Sequence, residues 1–308
     1  GDEMAICRTN LWLRHAERVL IKVGEFKATT FEELFQGVKA LPWPDWLPEK
    51  ANFPVEGKSV KSTLFSVSDC QAITKKAIVE KMKQRYKVQW FEESGPRYTV
   101  EVALLKDIAT LTIDTSGAGL HKRGYRQLVG QAPLKETLAA GLVNLSRWRP
   151  EYPLIDPFCG TGTIPIEAAL MGLNIAPGLQ RSFISEQWPN IRTEIWQEAR
   201  QEARDLIKRD LRLDIAGFDI DPQVLKLARY HAEKAGVADQ IHFQQRAVAD
   251  LQTKKKYGCL ICNPPYGERL EEQRTVERLY REMGKVFARL DTWSWNILVT
   301  HPRFEALF

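Results

Sequence analysis

The sequence predicts an α/β fold built on a doubly wound parallel sheet, preceded by a smaller α+β domain. From about residue 128 onward, short apolar segments alternate with amphipathic segments of helical period, as in successive βαβ units. A glycine-rich turn follows the first of these apolar segments, and carboxylates follow the second. Because ligands bind beyond the carboxyl ends of parallel strands, the same two features indicate a binding site.

The individual elements follow from hydrophobic period and from the positions of Gly and Pro. The first part of the chain is expected to form helices at Thr9–Val19, Thr30–Val38 and Gln71–Arg85 and strands at Thr99–Leu105 and Ala109–Ile113. The alternating part is expected to form helices at Pro133–Trp148, Thr163–Met171, Thr193–Lys208, Pro222–Ala235 and Thr275–Ala288, and strands at Leu154–Asp156, Asp214–Asp219, Ile241–Gln244, Tyr257–Cys262 and Trp293–Thr300. We therefore expect domains at 1–112 and 132–308, joined by a bridge at 113–131.

The glycine-rich turn is the first candidate site. Gly160 and Gly162 allow positive φ and close approach of a ligand, and the helix after the turn directs its first N–H groups toward it. Pro165 stands where a dinucleotide-binding turn has its third glycine, and the chain has no Gly-x-x-x-x-Gly-Lys phosphate loop. The turn predicts a cofactor site that comprises Asp156, Pro157, Phe158, Cys159, Gly160, Thr161, Gly162 and Thr163.

The carboxylates after the second strand have two different expected roles. Asp219, followed by Ile220, is placed to accept hydrogen bonds from both ribose hydroxyls of an adenosine. Asp221 directly precedes Pro222 and is interpreted as the cap of the next helix. A second capping role is the alternative for Asp219. After the third strand, the loop that contains Ala247 and Val248 is a further candidate, for contact with an adenine edge.

The strand that ends at Cys262 is followed by Asn263-Pro264-Pro265-Tyr266. The prolines disfavour helix and remove backbone N–H donors, so a backbone carbonyl and the Asn263 side-chain oxygen can converge on one donor. A planar base with an exocyclic amine offers two N–H donors to this pair, and Tyr266 offers a flat face for stacking. The tetrapeptide therefore predicts a site for methylation of such an amine, although an ordinary strand-to-loop turn is the alternative.

Together, the glycine turn, Asp219 and Asn-Pro-Pro-Tyr resemble class I S-adenosylmethionine-dependent methyltransferases, in both order and spacing. The resemblance implies S-adenosyl-L-methionine as cofactor and S-adenosyl-L-homocysteine as product, and it places Pro133 and Leu134 against the cofactor. The sulfonium methyl is then expected beside Asn263, which is a further cofactor contact. Enzymes with this tetrapeptide methylate adenine N6, cytosine N4, guanine N2 or glutamine side chains. One departure is Ala247, because many relatives carry an acid there.

The first part of the chain resembles a THUMP domain, an RNA-binding module, in the segments Phe31–Phe35, Leu41–Pro48 and Lys58–Val79. The segments Asp114–Arg126 and Ala132–Ala140 resemble the bridge of the bacterial 23S ribosomal RNA guanine-N2 methyltransferases, which are often labelled N6-adenine-specific DNA methylases. The resemblance implies a guanine of large-subunit ribosomal RNA, free or in a precursor particle, as substrate. The alternatives are a DNA adenine-N6 methylase and an inactive RNA-binding module. By the same resemblance, we expect residues 1–112 to include the remnant of a ferredoxin-like subdomain. Further strands are expected before residue 1 and after residue 308.

Composition limits the electrostatic part of this interpretation. The chain has 308 residues, a net charge of +5 and a pI near 8.9, which is mild for a nucleic-acid binder, so a basic surface has to be local. The candidate RNA contacts are Lys58, Lys61, Lys75, Lys76, His121, Lys122, Arg123 and Arg126. For the lysines of the helix, a solvated face is the alternative.

The five cysteines form no regular disulfide pattern, which favours a reducing, cytoplasmic location. Cys259 and Cys262 have the spacing of a metal pair. However, residues three apart in a strand face opposite sides, and no second pair is present, so we expect no metal. The chain has no apolar run of about 20 residues and no signal-peptide pattern at its start, so we expect no membrane partner.

Overall fold

The computed structural model describes residues 2–126, 134–266 and 270–308. Contacts within the chain divide it into two compact units. Unit 1 comprises Gly1–Asn10, Glu17–Leu120 and Ser182–Ala199, and unit 2 comprises Leu11–Ala16, His121–Arg181 and Arg200–Phe308. The domain limits expected from the sequence remain a proposal.

The first part of the chain contains one four-stranded sheet. Its elements, in chain order, are α1 (Glu3–Trp12), β1 (Leu20–Lys27), α2 (Phe31–Ala40), β2 (Val55–Val60), α3 (Val67–Tyr86), β3 (Val100–Leu105) and β4 (Ile108–Asp114). The strand order is β1-β4-β3-β2, and only β2 and β3 run parallel. Helix α2 begins with a capping box, in which Thr30 accepts the Glu33 N–H and Glu33 accepts the Thr30 N–H.

The sequence prediction was wrong at the start of this unit. The helix expected at Thr9–Val19 is α1, which ends at Trp12, and β1 follows it. The Val19 N–H donates to Ser116 Oγ at 2.8 Å, and its carbonyl accepts the Thr115 N–H at 3.0 Å. Because these partners come from a distant part of the chain, tertiary pairing overrides the helical period of the local sequence.

The second part of the chain forms a five-stranded parallel sheet in the order β7-β6-β5-β8-β9. Its elements are α4 (Glu136–Leu145), β5 (Leu154–Asp156), α5 (Thr163–Gly172), α6 (Thr193–Asp205), β6 (Ile215–Asp219), α7 (Pro222–Ala235), β7 (Ile241–Gln245), β8 (Cys259–Cys262), α8 (Leu270–Phe287), β9 (Ser294–Ile297) and α9 (Phe304–Leu307). The predicted α/β class and parallel sheet are confirmed.

Two apolar clusters cover the two faces of this sheet. Helices α4, α5 and α7 pack on one face, where Cys259 and Ile261 point, and α8 and α9 pack on the other, where Leu260 and Cys262 point. The prediction that Cys259 and Cys262 face opposite sides is therefore confirmed. The order of the strands has a functional consequence, because β6, β5 and β8 are neighbours and their carboxyl ends lie at the same edge.

Candidate functional site

The glycine turn after β5 is held by backbone hydrogen bonds to the neighbouring strand. The Cys159 N–H donates to the Phe218 carbonyl at 2.9 Å, and the Gly162 N–H donates to the Cys159 carbonyl at 2.8 Å. Gly160 and Gly162 have φ of 50° and 85°, in the left-handed region that glycine adopts most readily. Of the remaining turn residues, Pro157 is buried, and Phe158 is half-buried against the cluster under α8.

The two glycines are needed for different reasons. A Cβ at Gly162 would lie 3.1 Å from both Ala228 Cβ and Phe243 Cζ, so this position is closed by packing. A Cβ at Gly160 would meet no heavy atom within 4 Å. The backbone at Gly160 therefore faces open space, which a side chain would fill and a cofactor could occupy.

Asp219 joins the ends of β5 and β6. Its Oδ2 accepts the Gly160 N–H at 3.0 Å, and its Oδ1 accepts the Asp221 N–H at 3.0 Å. Each carboxylate oxygen has a further lone pair, so Asp219 can still accept from a ligand. Asp221 accepts the Gln223 N–H at 2.7 Å and caps α7, which confirms its interpretation as the N-cap. The two acids thus have separate structural positions.

Asp156, at the end of β5, is almost fully buried. Burial raises its pKa well above the ordinary value of 3.8, the nearby Asp219 carboxylate adds to the rise, and the Phe158 N–H, which donates to Asp156 Oδ1 at 3.0 Å, opposes it. Burial likewise raises the pKa of the Cys159 thiol well above its ordinary value. Burial therefore disfavours a negative charge on both of these side chains.

Three further predicted cofactor contacts, Ile220, Ala247 and Val248, follow the neighbouring strands β6 and β7. Ile220 is exposed, and its carbonyl accepts from Gln245 Nε2 at 2.9 Å. Ala247 precedes a short 3-10 turn at Val248–Asp250, in which Val248 is buried. The Thr161 carbonyl lies 3.3 Å from His231 Nδ1.

The segment before α4 also reaches the turn. Arg126 Nη2 donates to Thr163 Oγ1 at 2.5 Å and to the Leu134 carbonyl at 3.3 Å. Leu134 packs against the apolar cluster of α4, α5 and α7. Pro133, its predicted neighbour in the cofactor site, lies outside the described residues.

Asn263-Pro264-Pro265-Tyr266 follows β8 at the same edge of the sheet. The Tyr266 hydroxyl donates to Asn263 Oδ1, and the Tyr280 hydroxyl, from α8, donates to the Pro265 carbonyl at 2.9 Å. Asn263 is half-buried, Pro264 is buried and Pro265 is exposed. One acceptor of the motif is thus engaged by the motif itself, and another by a neighbouring helix.

Tyr280 is a residue that sequence reasoning missed. It is fully buried, and its ring lies edge-on to Phe304, with 4.8 Å between ring centroids. Burial raises the pKa of Tyr280, so its hydroxyl stays a protonated donor at neutral pH. In the sequence it is one of the residues on the apolar face of an amphipathic helix, and nothing there distinguishes it from a core tyrosine.

The structure corrects part of the predicted RNA-binding set. Arg123 is buried, and its Nε lies 3.5 Å from Glu167 Oε1, which is also buried. Arg126 is largely covered and pairs with Glu136, at 3.3 Å between Nη1 and Oε1. A run such as His-Lys-Arg resembles a surface patch in sequence, but the buried glutamates that these arginines face come from helices further along the chain.

The other predicted basic residues differ in exposure. Lys61, Lys76 and Lys122 are exposed, and His121 is half-buried. Lys58 is exposed and pairs with Glu101 at 2.8 Å. Lys75 is less accessible, because its Nζ pairs with Glu93 at 2.6 Å and lies 3.5 Å from the centroid of the Phe53 ring.

The described part of the chain contains neither a metal-binding cluster nor a membrane-spanning helix. Within residues 2–126, 134–266 and 270–308, no group of three or more His, Cys, Asp and Glu side chains could hold a metal ion. Over the same residues, no helix is both long enough and apolar enough to span a membrane.

The parallel sheet, with the glycine turn, Asp219 and Asn-Pro-Pro-Tyr at one edge, defines the class of S-adenosylmethionine-dependent methyltransferases. The chain belongs to the RMKL-like methyltransferase family, whose methyltransferase-domain model matches residues 123–307. A THUMP domain model matches residues 28–114, and an RlmL ferredoxin-like domain model matches residues 1–20. The predicted family and the predicted cofactor are thereby confirmed.

Relatives of known sequence and structure agree with this family. The chain is 53% identical to YpsC of Bacillus subtilis, which carries the name of an RNA methyltransferase, over 100% of the chain and 80% of YpsC. The crystal structure of SMU.472, described as a methyltransferase and complexed with S-adenosylhomocysteine, has 47% identity and a TM-score of 0.94, over 100% of this chain and 82% of that one. A Listeria monocytogenes structure described as a "predicted N6-adenine-specific DNA methylase" has 56% identity and a TM-score of 0.97, over 100% of this chain and 81% of that one.

Proposed function

We propose that the protein transfers a methyl group from S-adenosylmethionine to the exocyclic N2 of a guanine in 23S ribosomal RNA. The observation that supports amine methylation best is the juxtaposition of Asn263 with the glycine turn and Asp219 at one sheet edge. The THUMP domain at 28–114 and the name of YpsC support RNA as the substrate. Guanine N2 is proposed from the resemblance of the bridge to the guanine-N2 methyltransferases.

The turn after β5 fits S-adenosylmethionine. The open space at Gly160 can take a ligand, and Asp219 has acceptor capacity for ribose hydroxyls. We assign the methionine end to the turn from Asp156 to Thr163 and the adenosine to Ile220, Ala247 and Val248. When bound, the cofactor supplies an electrophilic methyl group on its sulfonium.

At the amine half of the site, the chain orients the nucleophile. The target guanine has to leave its stack to reach Asn263. Its amine has two N–H groups, which we assign to Asn263 Oδ1 and the Pro264 carbonyl, because the Pro265 carbonyl accepts from Tyr280. Tyr266 then stacks on the base. The proton can leave after the nitrogen has become cationic, so orientation rather than a strong base supplies most of the rate.

Asn263 Oδ1 already accepts the Tyr266 hydroxyl in the structure. The amide oxygen has a second lone pair, but in the proposed mechanism the Tyr266 ring turns to stack on the base. The incoming amine then takes the place of the phenol hydroxyl at Asn263 Oδ1. Burial raises the pKa of Tyr266, so its hydroxyl remains protonated, and the exchange involves no change of charge.

The proposal is tested with the chain, labelled S-adenosylmethionine and three substrates: ribosomal RNA from cells that lack the modification, assembling large-subunit particles, and unmethylated DNA. Label that digestion releases as N2-methylguanosine would support the proposal. Label in RNA at another base would leave an RNA methyltransferase of different specificity and overturn the guanine assignment.

A DNA adenine-N6 methylase is the second candidate. It is favoured by the description of the Listeria structure and by Asn-Pro-Pro-Tyr, which fits adenine as well as guanine. The THUMP domain is an argument against it. Label in N6-methyladenine of DNA, with none in RNA, would establish this candidate, and RNA binding without any transfer would indicate an inactive module.

A further inference from the structure

Arg126, one of the residues predicted to contact RNA, is largely covered and contacts three residues of unit 2. Its Nη2 donates to Thr163 Oγ1 at 2.5 Å and to the Leu134 carbonyl at 3.3 Å, and its Nη1 lies 3.3 Å from Glu136 Oε1. Thr163 is the first residue of α5 and the last residue of the predicted cofactor turn. Arg126 therefore connects the cofactor turn with the start of α4.

The residues just before Arg126 contact the same helix. Glu167, which lies one helical turn after Thr163, accepts the Tyr125 hydroxyl at 3.2 Å. Arg123 Nε lies 3.5 Å from the same carboxylate oxygen, and Glu167 is fully buried. This segment is thus fixed along the first two turns of α5, which limits where the Arg126 guanidinium can lie.

The charge of the Arg126 guanidinium is balanced by Glu136. This glutamate is buried and lies in the first turn of α4. A covered guanidinium beside a buried carboxylate is held in place by it, and the pair has no net charge to offer a ligand. Any effect of Arg126 on a ligand therefore comes from the hydrogen bonds that its fixed guanidinium makes.

The contact with Arg126 determines what the Thr163 hydroxyl can do. A threonine hydroxyl has one hydrogen to donate and two lone pairs that accept. A guanidinium can only donate, so it occupies a lone pair of Thr163 Oγ1, and the hydroxyl hydrogen has to point to a different group. Arg126 thus makes the Thr163 hydroxyl a donor with a restricted direction.

We propose that Arg126 is a positioning residue of the cofactor site, which orients the Thr163 hydroxyl toward the carboxylate at the methionine end of S-adenosylmethionine. The inference rests on one part of the proposed function, the assignment of that end to the turn. Gly162, the N-cap of α5, has no side chain to occupy the first N–H groups of the helix, so these can bind the same carboxylate. Arginine suits the role because its planar fork reaches Thr163 and the Leu134 carbonyl together.

The test compares two ligands of the chain by calorimetry. One is S-adenosylhomocysteine, and the other is methylthioadenosine, which has the adenosine and the sulfur but no amino acid end. Thr163→Val should weaken S-adenosylhomocysteine binding about 10-fold, because a hydrogen bond to a charged group is lost, and Thr163→Ser should restore it. Arg126→Gln should weaken it roughly 3- to 10-fold, within the range for partners in one hydrogen-bond network. Affinity for methylthioadenosine should stay close to that of wild type in every variant.

The double variant shows whether Arg126 acts through Thr163. If it does, Arg126→Gln/Thr163→Val binds S-adenosylhomocysteine no more weakly than Thr163→Val alone, because the hydroxyl that Arg126 orients is already absent. Arg126→Lys keeps a cation beside Glu136 and serves if Arg126→Gln does not fold. It should show the same selective loss, because an ammonium group lacks the planar fork.

Arg200→Gln is the matched control. Arg200 is also half-buried in unit 2, and its guanidinium donates to the Leu179 and Arg181 carbonyls at 3.1 and 2.8 Å. This variant should leave the affinity for both ligands unchanged. Unchanged S-adenosylhomocysteine affinity in Arg126→Gln, equal weakening of both ligands, a further loss in the double variant, or the same selective loss in Arg200→Gln would overturn the proposal.

Failure of this inference and failure of the proposed function give different results. If label appears in N2-methylguanosine but Arg126→Gln binds S-adenosylhomocysteine as wild type does, only the role of Arg126 is wrong. If no RNA accepts the label but the variants show the selective loss of affinity, the proposed substrate is wrong and the role of Arg126 stands.

Discussion

The two halves of the candidate site differ in how far they have to change before a ligand binds. In the half formed by β5 and β6, Asp219 holds the Gly160 N–H, and the space above Gly160 is open. In the half formed by β8, the Asn263 side-chain oxygen already accepts the Tyr266 hydroxyl. The cofactor half is therefore preformed, whereas in the proposed mechanism the amine half has to move Tyr266 from the amide to the base. Substitutions in the two halves should therefore have separable effects.

The largest effect is expected from Asn263→Ala. This variant loses the amide oxygen that we assign to the target amine, so methyl transfer should fall by a factor on the order of 100 to 1000, as when one oriented polar group is removed from an active site. The Kd for S-adenosylmethionine should change little. Single-turnover transfer and calorimetry measure the two quantities.

Asn144→Ala serves as the control for Asn263→Ala, because Asn144 is exposed on α4. It should behave like wild type in both measurements. Turnover at the wild-type rate by Asn263→Ala would contradict the mechanism, and an equal loss of cofactor binding would show that the two halves are not separable.

Gly160→Ala should act on the cofactor half. An added methyl group would enter the open space, so cofactor affinity should fall about 10-fold, the effect of inserting a methyl group into a packed contact. Gly236, the C-cap of α7, provides the matched control because its φ is 74° and a Cβ there would also meet nothing within 4 Å. Both variants should lose roughly 1 kcal/mol of unfolding free energy through backbone strain.

Only Gly160→Ala should weaken binding of S-adenosylhomocysteine. Calorimetry measures this affinity, and denaturant unfolding measures the stability of both variants. Equal cofactor affinity in the two variants would show that the space at Gly160 is not a cofactor site. A much larger loss of stability in Gly160→Ala would indicate a packing role instead.

Tyr280→Phe should separate orientation from binding in the amine half. The substitution keeps the buried ring and removes the donor to the Pro265 carbonyl. Because this acceptor loses its partner, the unfolding free energy is expected to fall by about 1 kcal/mol or more. We expect kcat to fall roughly 10-fold with the cofactor Kd unchanged. Tyr257→Phe, at an exposed tyrosine, is the control, and a change in cofactor Kd without a change in kcat would exclude a positioning role.

The sequence predicted the parallel sheet better than the unit before it. The short apolar segments and their Gly and Asp endings placed β5, β6 and α7 within one residue of their observed limits. In unit 1, β1 was missed because Gly24 and a register shift between Lys22 and Gly24 interrupt its alternation. β1 is defined by its pairing with β4, which lies about 90 residues later in the chain. Such a pairing leaves no signal in the local sequence of β1.

The candidate site shows the same limit. Asp156, Asp219 and Asn263 could be proposed from sequence because each ends or directly follows a recognisable strand. Tyr280 could not, since its role depends on which carbonyl its hydroxyl reaches. Arg123 was misjudged for a related reason, because its partner Glu167 lies 44 residues away and buries it. Contacts that depend on tertiary packing cannot be predicted from the local sequence pattern.

Asp156→Asn should reveal the raised pKa of this carboxyl. A raised folded-state pKa means that the stabilising effect of protonation is fully present below the ordinary value of 3.8 and is lost as pH rises through the folded pKa. The amide variant cannot ionise. The difference between its unfolding free energy and that of wild type should therefore shift in favour of the variant as pH increases from 4 to 8. Denaturant unfolding without cofactor measures this difference, and a difference independent of pH would show that Asp156 titrates normally.

The smallest effect is expected from Tyr266→Phe, and it is the sharpest test of the amine half. This variant keeps the aromatic face for the base and removes the hydroxyl that occupies Asn263 Oδ1, so kcat/KM should stay within about threefold of wild type. Tyr266→Ala also removes the stacking face and should lose roughly 10-fold or more. If Tyr266→Phe were as impaired as Tyr266→Ala, the hydroxyl itself would take part in catalysis. Its hydrogen bond to Asn263 would then be part of the reacting arrangement, not one that the target amine replaces.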